Sequence, residues 1–149
     1  MALLEHVPIG ILPFERFESV LPPERYEELR TAAERGRTEL AGRVIWNVNS
    51  TSRGGGVAEM LVSLLAYAHG AGVDARWTVI AGNDPFFALT KRIHNRLHGG
   101  ADDGRTLGEA DRRLYEEHLV GSGDELAGRV GARDVVLVHD PQPAGLIPG

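Results

Sequence analysis

The chain has no cysteine among its 149 residues. Disulfide scaffolds and thiolate metal sites are therefore excluded, and the absence fits a reducing compartment. No apolar run approaches the ~20 residues that would span a bilayer. The N-terminus, Met1 to Pro8, lacks the basic segment and long apolar core of a signal peptide. A cytoplasmic protein without a membrane partner is the expectation. Basic residues are in the minority, with 16 Lys and Arg against 21 Asp and Glu and a net charge of −5. Nucleic-acid binding rests on a basic surface, so no nucleic-acid partner is expected; a local pocket for a nucleotide phosphate remains compatible. The chain contains no internal repeat.

What is present is the composition of a soluble globular domain, 42% hydrophobic and 25% charged. The length suits one domain with a real core. Its organising stretch is Arg43–Ser63, R-V-I-W-N-V-N-S-T-S-R-G-G-G-V-A-E-M-L-V-S. An apolar strand (Val44–Val48) passes through a polar hinge (Asn49–Arg53) and three glycines (Gly54, Gly55, Gly56) into a helical pattern. A strand that turns through glycines into a helix N-terminus presents backbone N–H groups to an anion.

Around it the other elements fall into order. Met1–Leu21, broken by Pro8 and Pro13, reads as an extended arm contributing a short edge strand. Pro22-Pro23 and the acidic residues after them open a helix ending about Gly42, with Tyr26, Leu29, Ala33 and Leu40 near one face. Val57, Met60, Leu61, Leu64, Leu65 and Ala68 recur at helical spacing and predict one buried face, stopped by Gly70 and Gly72. Ala75–Ala81 is a second strand. Asp84 or Pro85 opens a helix through Phe86, Phe87, Leu89, Ile93 and Leu97, and His98–Arg105 reads as a loop. A polar helix is predicted over Leu107–Val120, with Leu107, Ala110, Leu114 and Tyr115 inside, and a separate short helix near Asp124–Val130. Asp134–Val138 is the third strand and looks buried. Strand, helix, strand, helices, strand predicts a Rossmann-like α/β fold with a parallel sheet flanked by helices. Ligands bind such sheets outside the carboxyl ends of the strands. The Asn49–Gly56, Gly82–Pro85 and His139–Pro143 turns would share that rim.

Several familiar motifs are missing. Val57-Ala58-Glu59 directly after the third glycine breaks a G-x-G-x-x-G fingerprint, and Ala81-Gly82 stand where an acidic residue would end the next strand. No Gly-Lys-Ser/Thr follows, so the turn is not a Walker A loop. The glycines serve either a close helix–strand approach or a phosphate. His139-Asp140 is either a polar strand end or a pair in which His139 donates to a ligand and Asp140 accepts from hydroxyls, with Pro141 and Pro143 stiffening the loop. His94 and His98 have the spacing of a metal pair but no His-Glu-x-x-His pattern or third ligand, so no metal is expected. Lys91, His94 and Asn95 read as a polar face bordering the cleft. Glu59 either favours the helix dipole or holds a sugar hydroxyl.

Four ordered segments carry a resemblance. They are Asn49-Ser50-Thr51-x-x-Gly54-Gly55-Gly56-Val57-Ala58-Glu59-Met60-Leu61, Trp77-x-Val79-Ile80-x-Gly82-x-x-x-Phe86-Phe87, Thr90-Lys91-x-x-His94-Asn95, and Val138-His139-Asp140-Pro141-Gln142-Pro143. Together they resemble the trehalose glycosyltransferring synthases, retaining GT-B glycosyltransferases of family 4, over about Pro22 to Leu146. They separate the synthases less well from the related trehalose phosphorylases. The resemblance implies transfer of glucose from a nucleotide-diphospho-glucose to glucose, with no further cofactor. It implies an incomplete amino-terminal, acceptor-side domain over 43–149, preceded by an arm and helix over 1–42 and lacking the donor-binding carboxy-terminal domain. By position, Gly54–Gly56 would approach the donor phosphates and His139 the transferring sugar. Asp140, Lys91 and Asn95 would be acceptor-side groups, with Asn49, Ser50, Glu59, His94 and Gln142 as further substrate-binding candidates. The 149 residues alone are expected to lack transferase activity. An unpaired sheet edge would favour aggregation or a homodimer. A non-catalytic sugar- or nucleotide-binding module is the reading from another class.

Overall fold

A computed structural model describes residues 3–100 and 104–147. Four strands, β1 (Leu4–Val7), β2 (Ile45–Asn49), β3 (Ala75–Ile80) and β4 (Val135–Val138), form one sheet in the order β1-β3-β2-β4. Four helices accompany them: α1 (Pro23–Glu39), α2 (Gly56–Gly70), α3 (Asp84–Leu97) and α4 (Glu109–Ala127). Short 3₁₀ turns occupy Phe14–Ser19 and Ala144–Leu146.

The three strands expected from the sequence are parallel, with Ile45 opposite both Ala75 and Val135. The sheet as a whole is mixed, which corrects the expectation of a purely parallel one. β1 lies antiparallel on β3, Leu4 facing Ile80 and Val7 facing Trp77. β1 reaches its partner β3 only after α1, β2 and α2, so no single crossover helix ties the pair into the parallel direction. α4 fixes it instead: Leu3 N–H donates to the Glu125 carboxylate at 2.8 Å, and Ala81 N–H donates to Leu3 O at 2.9 Å.

Two apolar clusters fill the two faces of the sheet. On one, Ala58, Leu61 and Leu65 of α2 pack on Ala75, Trp77 and Val79. On the other, Leu4, Val48 and Ile80 meet Phe86, Leu119 and Leu126. The buried arc of α2 is narrower than its spacing predicts, because only part of the helix faces the strands beneath it. Met60 and Leu64, expected inside, are 47% and 53% exposed.

α4 corrects a second expectation. It is one helix, running unbroken through Gly121 and Gly123. These glycines read as a break in the sequence, yet Gly121 serves close packing. A Cβ there would stand 2.4 Å from a Leu3 side-chain carbon, so the missing side chain lets the residue just ahead of β1 against the helix. The inner side of α4 holds Leu114, Tyr115, His118, Leu119, Ser122 and Leu126, while Leu107 and Ala110 are exposed. α3 keeps only Phe86 in the sheet's core and then packs on the amino half of α4, Leu89 and Ile93 sharing a groove with Leu107, Asp111 and Tyr115. His118 Nε2–H donates to Ala81 O, on the residue after β3, at 2.9 Å.

β4 also departs from its reading as a buried strand. It pairs only with β2 among the described residues, and Leu137 is 45% exposed. Beside it Leu119, Val136, Val138 and Leu146 line an open apolar groove of about 670 Å³.

Candidate active site at the carboxyl rim of the sheet

Because β2, β3 and β4 are parallel, the turns that leave them emerge on one edge. The first of these is held by its own atoms. Asn49 is 1% exposed; its Oδ1 accepts from the Trp77 indole at 2.8 Å and its Nδ2 donates to Thr51 O at 2.7 Å. Both ends of that amide are committed to shaping the turn. Thr51 Oγ1 donates to Arg53 O and accepts from Arg53 N–H. Ser50 is half-buried behind it.

Gly54 and Gly55 then take φ values of 70° and 85°, the left-handed region that only glycine enters cheaply. A Cβ at Gly54, Gly55 or Gly56 would meet nothing within 4 Å. Close helix–strand packing is therefore not what the glycines serve. Gly55 is the N-cap of α2 and supplies no side-chain acceptor. The leading N–H groups of α2 thus face outward without a cap, at the positive end of its dipole. α3 differs: Asn83 Oδ1 caps it by accepting from Phe86 N–H at 3.0 Å. Glu59 lies exposed in the first turn of α2.

The turn after β4 brings His139 to the same sheet face as α2. Leu137 is paired with Asn47, and Asn47 with Trp77, whose side chain packs under α2. Two residues on, alternation returns His139 to that face. Its backbone N–H donates to Val48 O at 2.9 Å, and its Nε2 lies 3.0 Å from Asn47 Oδ1. Burial pushes the imidazole below its ordinary value, with the Asp140 carboxylate opposing that shift. Asp140 is exposed and takes φ 68°, the one described non-glycine residue at positive φ. Asp is among the residues that tolerate this region best.

The rest of the turn is fastened to α4. Tyr115 Oη donates to Pro141 O and accepts from Gly145 N–H, both at 2.8 Å. Burial pushes the phenol up, against the Gly145 N–H, so it stays neutral and able to donate. Its ring stacks on Phe86 at 5.9 Å. Gln142 is half-buried, and its Oε1 is buried without a hydrogen-bond partner among the described residues.

Lys91, His94 and Asn95 lie on α3. Lys91 is exposed, and His94 and Asn95 are half-buried. The His94 and His98 rings stack at 4.2 Å, and His98 Nδ1 lies 2.9 Å from His94 O. Among the described residues, no group of three or more His, Asp or Glu is arranged to hold a metal.

Two residues that matter here escape a reading of motifs. Asn47 sits within an apolar strand and is 2% exposed. Its signal was available, since a buried amide in mid-strand must have a partner. Tyr115 gave only helical spacing, which says nothing of where a hydroxyl reaches.

Such a molecule is an α/β domain with a mixed four-stranded sheet, consistent with a Rossmann-like one, and its polar turns gather on one rim. Residues 47–149 match the family described as the N-terminal domain of trehalose synthase. The chain belongs to that family. It is 40% identical to a trehalose synthase from Rubrobacter xylanophilus over 142 residues, covering 95% of this chain and 32% of the relative. A trehalose synthase from Pyrococcus horikoshii is 41% identical over 138 residues, covering 93% of this chain and 31% of its own. A trehalose phosphorylase from Grifola frondosa is 31% identical over 105 residues, 67% of this chain and 14% of the relative. The chain thus spans about a third of the length of the synthases it matches. Among the described residues, no helix is long and apolar enough to cross a membrane.

Proposed function

We propose that this chain forms the acceptor-side part of a retaining GT-B glucosyltransferase that joins glucose from a nucleotide-diphospho-glucose to free glucose, giving trehalose. The observation that carries the reading is the uncapped start of α2 behind Gly54 and Gly55, on the same sheet face as His139. Three glycines in open space let a ligand come against backbone N–H groups. An anion such as the departing diphosphate is what such a helix end favours. Electrostatic stabilisation of that leaving group is the main catalytic term in this scheme. His139 contacts the transferring sugar, and Asp140 accepts from a hydroxyl. Gln142, Lys91, His94 and Asn95 are acceptor-side groups, and Ser50 and Glu59 are further binding groups at the glycine turn. Asn49 acts through the turn it shapes. The donor nucleotide is held by polypeptide outside these 149 residues.

A trehalose phosphorylase, with phosphate in place of the nucleotide, is the alternative within the same chemistry. The synthases match 95% and 93% of the chain and the phosphorylase 67%, which favours the first reading. A chimera tests it: residues of this chain replace the matching third of the Rubrobacter xylanophilus synthase. The chimera is expected to form trehalose from nucleotide-diphospho-glucose and glucose, while the 149-residue chain alone forms none. A cooperatively melting chimera that turns over only trehalose and phosphate, or neither pair, would overturn the proposal.

A further inference from the structure

The environment of His139 determines more than its position. Asn47 is buried, so its amide finds its partners in the protein rather than in water. One end lies 3.4 Å from Ile45 O and the other 3.0 Å from His139 Nε2. A backbone carbonyl only accepts hydrogen bonds, so the end beside Ile45 is the Nδ2 amine. The opposite orientation would set two carbonyl oxygens against each other in a buried place. The amide oxygen of Asn47 therefore faces the imidazole, and an oxygen there requires a proton on Nε2. The neutral ring carries a single N–H, so Nδ1 keeps its lone pair. Nδ1 has no hydrogen-bond partner among the described residues, and it is not a buried atom.

We propose that Asn47 is a positioning residue that locks His139 in the Nε2–H tautomer, leaving Nδ1 as an acceptor for a hydroxyl donated by the ligand. This reverses the role expected from the sequence, in which His139 donates. A sugar hydroxyl as that donor rests on the function proposed above; the tautomer does not. The chain of control runs from Ile45 O through the Asn47 amide to the imidazole, all within β2 and the turn after β4. The ring thus meets a ligand with its hydrogen-bonding polarity already chosen, as preorganised sites require.

The test is made on the 149-residue chain labelled with ¹⁵N-histidine, with His139→Gln to assign the resonance. Long-range proton–nitrogen spectra at neutral pH are expected to give His139 as a single species. Nε2 should be protonated and slow to exchange, and Nδ1 bare. Asn47→Asp keeps an oxygen acceptor toward the ring and should keep a proton on Nε2, at a cost in stability because its second oxygen meets Ile45 O. Asn47→Leu removes the acceptor, and the ring should relax to a mixture with a measurable Nδ1–H population and a fast-exchanging proton. A wild-type ring protonated on Nδ1 would overturn the inference, whether or not the variants fold. So would a folded Asn47→Leu whose ring is indistinguishable from wild type. Adding glucose or trehalose is expected to shift Nδ1 and leave Nε2 unmoved. A locked tautomer whose Nδ1 ignores both sugars would count against the sugar-transfer reading alone and leave the role of Asn47 standing.

Discussion

Two turns on the same rim are built in opposite ways. The glycine turn after β2 is tied mostly to itself, through Asn49, Thr51 and Arg53, with one outward bond from the Trp77 indole to Asn49, and a Cβ on any of its three glycines would meet nothing. The His139 turn after β4 is tied outward, to β2 through Asn47 and Val48 and to α4 through Tyr115. A backbone that offers N–H groups needs clearance, and clearance forbids neighbours. A side chain that offers a particular atom needs to be aimed, and aiming demands neighbours. In the proposed site the two turns divide that work between them.

The comparison breaks most visibly at Tyr115. Tyr115→Phe removes one hydroxyl that serves two backbone groups and leaves Pro141 O and Gly145 N–H unpaired. A loss of about 2 kcal/mol in urea denaturation is expected, with faster amide exchange at Gly145 and none at Gly54–Gly56. Equal loosening of both turns would show that they are not separately supported. Gly145→Ala comes next. Its Cβ would stand 2.7 Å from a Tyr115 ring carbon and 2.9 Å from Leu119 Cδ1, an overpacking that costs about 1–2 kcal/mol by the same measurement. The glycine turn is strained by conformation and not by packing. Gly55→Ala meets no atom, and its cost comes from a φ of 85° and ψ of 150°, a region nearly confined to glycine, about 1–3 kcal/mol. Gly56→Ala, without that φ, should melt within about 0.5 kcal/mol of wild type. A Gly56→Ala as damaging as Gly145→Ala would mean the glycine turn is packed after all.

The sequence made the parallel strands legible because their periodicity and their glycine and proline punctuation are local. Val44–Val48, Ala75–Ala81 and Asp134–Val138 all stand close to the strands found. The antiparallel direction of β1 was not legible, since it depends on Glu125, more than a hundred residues away. The unbroken α4 was hidden for a related reason. Gly121 looks like a break until its neighbour Leu3 is in place. At the rim, residue type pointed to the glycines, to His139 and to Asp140. Spacing could not reveal that Asn49 is consumed by Trp77 and Thr51, or that α3 leans on α4. Met60 and Leu64 show the same limit, because periodicity gives the direction of a buried face and not its width.

The antiparallel strand has a consequence in time. β1 is synthesised first, yet its partner β3 and its clamp Glu125 come much later in the chain. At about 5–20 residues per second, Leu4 waits roughly 4–15 s for Ile80 to be made. Closing so long a loop also adds to the entropic cost of forming that edge. The β2–α2–β3 unit has no such wait, since its partners follow one another directly. β1 is thus made before both of its partners and must wait for them, and anything fused ahead of Leu3 travels with it until that edge closes.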